Sequence, residues 1–166
     1  MKKLLVLAVF SLLLCAAFPA QADDILASKK PSPPRQVSAP LYSSLTVPQL
    51  CDLLKQWDSS CRAEPVDDVV KIRLDGINAL FLLNDERDSL QYFVRFESDV
   101  PLDHVNLWNT EYRYARHYVQ TLDDGTRVIN MELDHTLCGG VSKKNIFEFF
   151  ELARLLTATL KQNLEK

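Results

Sequence analysis

The stretch from Leu107 to Val141, LWNTEYRYARHYVQTLDDGTRVINMELDHTLCGGV, determines the fold that the rest of the chain must accommodate. It begins with the end of a helix, continues as two strands joined at Asp123-Asp124-Gly125, and ends at Gly139-Gly140. A turn this short joins antiparallel strands, because a parallel crossover needs a dozen residues or more. The stretch therefore predicts a helix, an antiparallel hairpin, and a further helix after the double glycine, where the chain must bend abruptly.

Upstream of this stretch, residue spacing predicts one helix and three strands. Thr46 suits a helix N-cap, and the apolar residues that follow it recur on one helical face. The predicted strands are 70–74, 77–83 and 90–96, joined by turns at 75–76 and 84–88. Because the second strand is nearly all apolar, we expect it to be central and covered on both faces.

Downstream, Pro101 suits the first turn of a second helix, and Ser142 suits the N-cap of the last one. The last helix has a wide apolar stripe, formed by Ile146, Phe149, Phe150, Ala153, Leu156, Leu160 and Leu164. The predicted order is α-β-β-β-α-β-β-α. We expect an α+β fold in which an antiparallel sheet of about five strands has helices packed on it.

The N-terminal residues are predicted to lie outside this domain. Residues 1–22 combine two lysines, an apolar run and a small-residue Ala20-Gln21-Ala22 site, which is typical of a cleaved signal peptide. Residues 23–44 contain four prolines among polar residues, which predicts a flexible leader. The folded domain is then 45–166, in a periplasmic or secreted protein with no stable membrane insertion after cleavage.

The charge of the chain argues against nucleic acid as a partner. Without Lys2 and Lys3, 17 basic residues face 22 acidic ones, a net charge of −5. Binding to nucleic acid normally needs a clustered basic surface. Lys143-Lys144 is the only adjacent basic pair in the predicted domain. We therefore expect no nucleic-acid partner.

Cleavage would leave three cysteines, Cys51, Cys61 and Cys138, in a compartment where disulfides persist. We expect Cys51 to pair with Cys61, while either could instead pair with Cys138. In one continuous helix Cys51 and Cys61 would lie about 15 Å apart, beyond the roughly 7 Å limit for bridging. The first helix must therefore end before Cys61, and Asp58-Ser59-Ser60 is a plausible end.

No catalytic residue, metal or cofactor is expected. His104, His117, His135 and Cys138 are the possible transition-metal ligands, but only His135 and Cys138 are close in sequence. The same pair could act as a thiol nucleophile and its base, although residues three apart at a strand end have no set geometry for it. A metal-binding or thiol-dependent protein that uses these two residues is therefore the alternative to a binding module.

Several features together resemble the YbjN family, over roughly residues 45–164. They are Trp108-Asn109, the run Arg113-Tyr114-Ala115-Arg116 with Tyr118, the alternating strand 128–133, and Gly139-Gly140-Val141 followed by Ser142 and an apolar helix. The resemblance implies a fold similar to type III secretion chaperones and a role as a bacterial sensory transduction regulator. It implies no catalytic residues.

The last helix also carries apolar residues outside its main stripe, namely Leu152 and Leu155. Chaperones of the resembled fold pair with each other and hold client segments on exposed surfaces, so we expect Leu152 and Leu155 to contact another protein or a second copy. The alternative is that they cover another part of the same core. The predicted function is a non-catalytic periplasmic protein-binding module with a chaperone-like or regulatory role.

Overall fold

The computed structural model describes residues 40–165. Its strands are β1 Leu41–Tyr42, β2 Arg62–Val66, β3 Val69–Leu74, β4 Ile77–Leu83, β5 Ser89–Glu97, β6 Arg116–Thr121, β7 Arg127–Thr136 and β8 Val141–Ser142. Its helices are α1 Val47–Trp57, α2 Leu102–Glu111 and α3 Lys143–Leu164. The predicted signal segment, 1–22, and residues 23–39 of the predicted leader lie outside the described residues.

The predicted α+β class with an antiparallel sheet is confirmed. The main sheet has six strands in the order β2-β3-β4-β5-β7-β6, and β1 pairs with β8 in a separate two-stranded sheet. The main sheet has one strand more than the five counted from the sequence, because β2 was not predicted. β2 contains Arg62, Glu64 and Pro65, and only Ala63 is buried. Because β2 is an edge strand, it tolerates proline, whose missing backbone N–H can lie on the side that has no partner strand.

The helix ends follow from local capping. The Thr46 hydroxyl accepts a hydrogen bond from the Gln49 backbone N–H at 3.3 Å, and the Gln49 side chain accepts one from the Thr46 backbone N–H at 2.8 Å. This reciprocal pair starts α1 where it was predicted. The Ser142 hydroxyl likewise accepts from the Asn145 backbone N–H at 3.2 Å and starts α3.

Register places the apolar residues of the main sheet on one face. One row across the strands is Pro65, Val70, Phe81, Tyr92 and Leu133, and all except Pro65 are buried. α1 and α3 pack on this face, where Phe150 contacts Trp57 and Phe81 at centroid distances of 5.4 Å and 5.1 Å. The core therefore lies between the helices and one side of the sheet, and α2 contributes to it beside β6.

The prediction that 77–83 is covered on both faces was wrong. β4 is an internal strand, as expected, but its residues alternate between buried Ala79, Phe81 and Leu83 and the partly exposed Leu80 and Leu82. The partly exposed residues lie on the face opposite the core. We call this second side the open face of the sheet.

The end of the predicted leader is ordered. Leu41 pairs with Ser142 and Tyr42 with Val141, so β1 joins the chain immediately before α3. Gly140 has a φ of +86°, and a Cβ there would lie 3.1 Å from the Leu41 Cβ. Glycine is therefore required both for the bend and for the approach of β1. Within residues 40–165, no helix is both long enough and apolar enough to span a bilayer.

Candidate functional site

Cys51 and Cys61 are both buried, each about 5% exposed, and both are free thiols. The structure therefore does not contain the predicted bridge. α1 ends at Trp57, as the pairing required, and the chain then turns so that α1 packs against β2, which Cys61 immediately precedes. Burial raises the pKa of each thiol. These cysteines thus have the environment of structural rather than nucleophilic groups.

His135 and Cys138 do not form a site together. The His135 ring stacks on Phe149 at 4.9 Å, which places it on the core side of β7. Burial lowers the pKa of His135. Cys138 is exposed, and its Sγ donates to Asp88 Oδ2 at 3.1 Å. The thiol is therefore paired with a carboxylate rather than with an imidazole base.

The other two histidines lie elsewhere. His117 pairs in register with Met131, four residues before His135 on β7, so the two imidazoles are separated by about 13 Å along the strand. His117 is buried against Trp108 and Tyr112, and burial lowers its pKa. His104 is exposed on α2. In the part of the chain that the structure describes, no group of three or more His, Cys, Asp or Glu could hold a metal ion.

At the polar junction between α2 and β6, the side chain of Asn109 bonds the backbone. Its amide donates to the His117 carbonyl at 2.9 Å and accepts from the His117 backbone N–H at 2.8 Å. These two bonds fix where β6 begins beside the end of α2. Asn109 is therefore explained by architecture.

The two leucines predicted to contact a partner differ in exposure. Leu155 is 61% exposed near the middle of α3. Leu152, one turn earlier, is half-buried against the core and lines a shallow pocket of about 290 Å³ that Tyr114 also lines. Tyr114 is 74% exposed. We call Tyr114, Leu152 and Leu155 the α3 strip.

The open face of the sheet contains a groove of about 890 Å³ that crosses from β2 to β7. Arg62 lies opposite Arg73, and Arg73 lies opposite Asn78. Because Ala79 pairs with Val94, Asn78 faces Arg95, the next residue on β5. Three arginines therefore occupy one row across the sheet, which we call the arginine row. Leu80 and Phe93, which are partners in the next row, form the apolar floor of the groove.

Arg95 is held by two neutral groups. Its Nε donates to Asn130 Oδ1 at 2.8 Å and its Nη2 donates to Gln120 Oε1 at 3.1 Å. Its guanidinium also lies over the Phe93 ring, 5.4 Å from the centroid. Asn130 is fully buried, so this arrangement is rigidly supported. Arg95 is thus oriented without its charge being neutralised.

A neighbouring network on the same face is neutralised internally. Glu132 accepts from the Tyr118 hydroxyl at 2.5 Å and pairs with Arg116. Burial of Glu132 opposes ionisation, but these hydrogen bonds outweigh it and keep the pKa of the carboxyl below its ordinary value. Arg116 therefore has a counter-ion within the fold, which the arginine row lacks.

Sequence reasoning did not identify the arginine row or the exposure of Tyr114. Arg62, Arg73 and Arg95 come from three strands, and each looks like the solvent-facing position of an alternating pattern. Only the register brings them together. A weak signal was present in Lys71 and Arg73, which are successive outward positions of one strand.

Comparison with known proteins gives a family and a fold. A family model, YbjN, described as "Putative bacterial sensory transduction regulator", matches residues 44–166. The crystal structure of YbjN from E. coli is similar with a TM-score of 0.55 and 19% identity, and the match covers 70% of this chain and 90% of that chain. At that identity the likeness supports the fold. A search of curated proteins found no match.

Proposed function

Because this chain belongs to the YbjN family, as its sequence pattern predicted, we propose that it is a non-catalytic regulatory module that binds another protein. The family description is that of a bacterial sensory transduction regulator. The signal-peptide-like N-terminus of this chain supports a periplasmic location, so such a module would act through contact outside the cytoplasm.

The α3 strip is the observation that carries this proposal. Leu155 and Tyr114 are large apolar or aromatic residues that are 61% and 74% exposed, and the half-buried Leu152 of α3 lines one pocket together with Tyr114. One exposed leucine is ordinary, whereas an exposed leucine one helical turn from a half-buried leucine that lies beside an exposed tyrosine is typical of a contact surface. Aromatic residues are also over-represented among those that dominate binding energy. A second copy of the chain is the other occupant that the strip would suit.

The separation of the thiol and imidazole groups supports a binding module over a thiol-dependent or metal-binding protein. A thiol-dependent or metal-binding mechanism would need Cys138 and His135 to converge with a second histidine. Cys138 instead bonds Asp88, and His135 stacks on Phe149. The binding module therefore accounts for more of the described surface than the alternative does.

We expect Leu155→Asp to abolish capture of the partner. A photo-crosslinking residue at Glu151, one turn before Leu155 and exposed on α3, should capture one protein in intact cells, recovered in the periplasmic fraction with Asp23 at the N-terminus of this chain. Placing a charge at the centre of an apolar contact typically weakens binding by 10-fold or more, about 1.4 kcal/mol. The captured product is identified by mass spectrometry.

Leu102→Asp is the matched control, because Leu102 is 56% exposed on α2, away from the strip. It should leave capture unchanged. Capture of only a second copy would identify the homodimer as the functional state. Equal capture by wild type and Leu155→Asp would exclude the α3 strip as the contact surface.

We also propose that Cys51 and Cys61 join in the exported protein. Because a bridge between them would restrict the unfolded chain, reduction should lower the Tm by at least about 5 °C. The Tm of protein purified from the periplasm is measured with and without reductant. Cys51→Ser should remove the dependence on reductant, and Cys138→Ser should keep it. Alkylation of Cys51 and Cys61 in the unfolded, unreduced wild type would contradict the pairing.

A further inference from the structure

The arginine row is not neutralised by the fold. Within residues 40–165, the side chains of Arg62 and Arg73 form no hydrogen bond or ion pair, although the two residues are directly opposite in register. Like charges at such positions destabilise a sheet. Arg95 extends the row with two neutral partners. A row of three positive charges in a groove, without a counter-ion, is complementary to an anionic ligand.

The other charges of the groove do not compensate the row. Glu64 lies directly opposite Lys71 in the next row, so its nearest cross-strand neighbour on this face carries the opposite charge. Glu97 and Asp124 also line the groove, but they belong to the end of β5 and to the β6–β7 turn. The groove is therefore basic along the row and acidic at its far end. An occupant should carry its negative charge against the arginine row and away from Glu97 and Asp124.

The size and floor of the groove indicate an extended peptide. It crosses five neighbouring strands, β2 to β7, which corresponds to about 19 Å at about 4.8 Å per strand. An extended segment of about six residues has that length. Leu80 and Phe93 provide a partly exposed apolar floor beside the row, which suits one aromatic or aliphatic side chain of the occupant.

We propose that this groove binds an acidic segment of a partner protein, about six residues long, with one or two carboxylates against Arg62, Arg73 and Arg95 and an apolar side chain on Leu80 and Phe93. The groove lies on the open face and α3 packs on the opposite face. The inference therefore goes beyond the α3 strip. Loss of one surface leaves the other intact.

The test measures binding of the protein purified from the periplasm to an array of hexapeptides that contain two glutamates and one phenylalanine in all arrangements. We expect the best peptide to bind at least tenfold more tightly than its Gln-substituted counterpart, and its affinity to fall as salt rises. Arg73→Gln should weaken binding about tenfold, since it removes a charged contact. Arg113→Gln removes the same charge from an exposed position outside the groove and should change binding less than twofold.

Folding of each variant is checked by its Tm and its circular dichroism. Arg95→Gln gives a second, independent variant of the row. The proposal would be overturned if every peptide bound no more tightly than its Gln counterpart. It would also be overturned if Arg113→Gln lost as much affinity as Arg73→Gln. If glutarate alone bound as tightly as the best peptide, the ligand of the groove would be a small dicarboxylate and the peptide proposal would be overturned. Leu155→Asp should leave peptide binding unchanged, which separates this result from the contact at α3.

Discussion

Replacing Phe150 with alanine is expected to lower the free energy of unfolding by about 3–5 kcal/mol. Phe150 is fully buried at the centre of the aromatic cluster between α1, α3 and the sheet. Its ring lies 5.4 Å from Trp57, 5.1 Å from Phe81 and 6.4 Å from Phe149. Truncation removes these contacts and leaves a cavity, because three elements must move together to close it. Urea denaturation with intrinsic fluorescence measures the change.

Phe147→Ala is the matched control, because Phe147 belongs to the same helix but is only partly buried, with Lys143 over its ring at 5.1 Å. Phe147→Ala should lower the free energy of unfolding by about 1 kcal/mol, because Phe147 buries a smaller apolar area. Equal losses in the two variants would mean that α3 is not docked through Phe150.

Replacing Arg154 with methionine is expected to cost about 2–3 kcal/mol. The guanidinium of Arg154 stacks on Trp57 at 4.4 Å and pairs with Asp58, which caps the C-terminus of α1. Its Nε lies 3.3 Å from Asp75 Oδ2 in the β3–β4 turn. Methionine preserves most of the apolar volume but leaves these carboxylates without their common cation. The loss is measured by urea denaturation at neutral pH.

The pH dependence distinguishes the ion pairs of Arg154 from its packing. Hydrogen bonds from Ser60 and then from Arg154 lower the pKa of Asp58 to about 2. A carboxyl whose folded-state pKa is depressed contributes stability above its ordinary pKa, and this contribution disappears as the pH falls towards 2. The difference between wild type and Arg154→Met should therefore shrink between pH 4 and pH 2. A constant difference would assign the effect to packing alone.

Lys161→Met is the control for a solvent-exposed ion pair. Lys161 lies 3.8 Å from Glu165, and both side chains are at least half exposed. The free energy of unfolding of Lys161→Met should differ from that of the wild type by no more than about 0.5 kcal/mol. A cost in Lys161→Met as large as that in Arg154→Met would contradict the special role of the partly buried Arg154.

Local signals in the sequence were sufficient for most of the architecture. Thr46 and Ser142 form the caps that were expected of them, and the Asp75-Gly76 turn adopts the left-handed angles of a tight hairpin, with φ of 50° and 81°. These features depend on residues within four positions of each other, so spacing and residue type predict them. The family pattern added the fold as a whole.

What could not be predicted depends on contacts between distant segments. β2 is a strand because β3 pairs with it, although Pro65 and the charged residues beside it argue against a strand. The apolar run of β4 predicted two covered faces, and no local signal distinguishes a covered face from the floor of a groove. Arg62, Arg73 and Arg95 lie in different strands, and a single residue of shift would separate them.

α3 follows every strand of the sheet in the chain, and this order sets the timing of core completion. Ile146, Phe149 and Phe150 enter the core only after residue 143, so the apolar face of β4, β5 and β7 stays partly uncovered while the preceding segments emerge. A nascent chain would thus expose that face to holding factors until α3, which is 22 residues long, has emerged and docked. Docking of α3 is then the step that completes the core and commits the molecule to its native state.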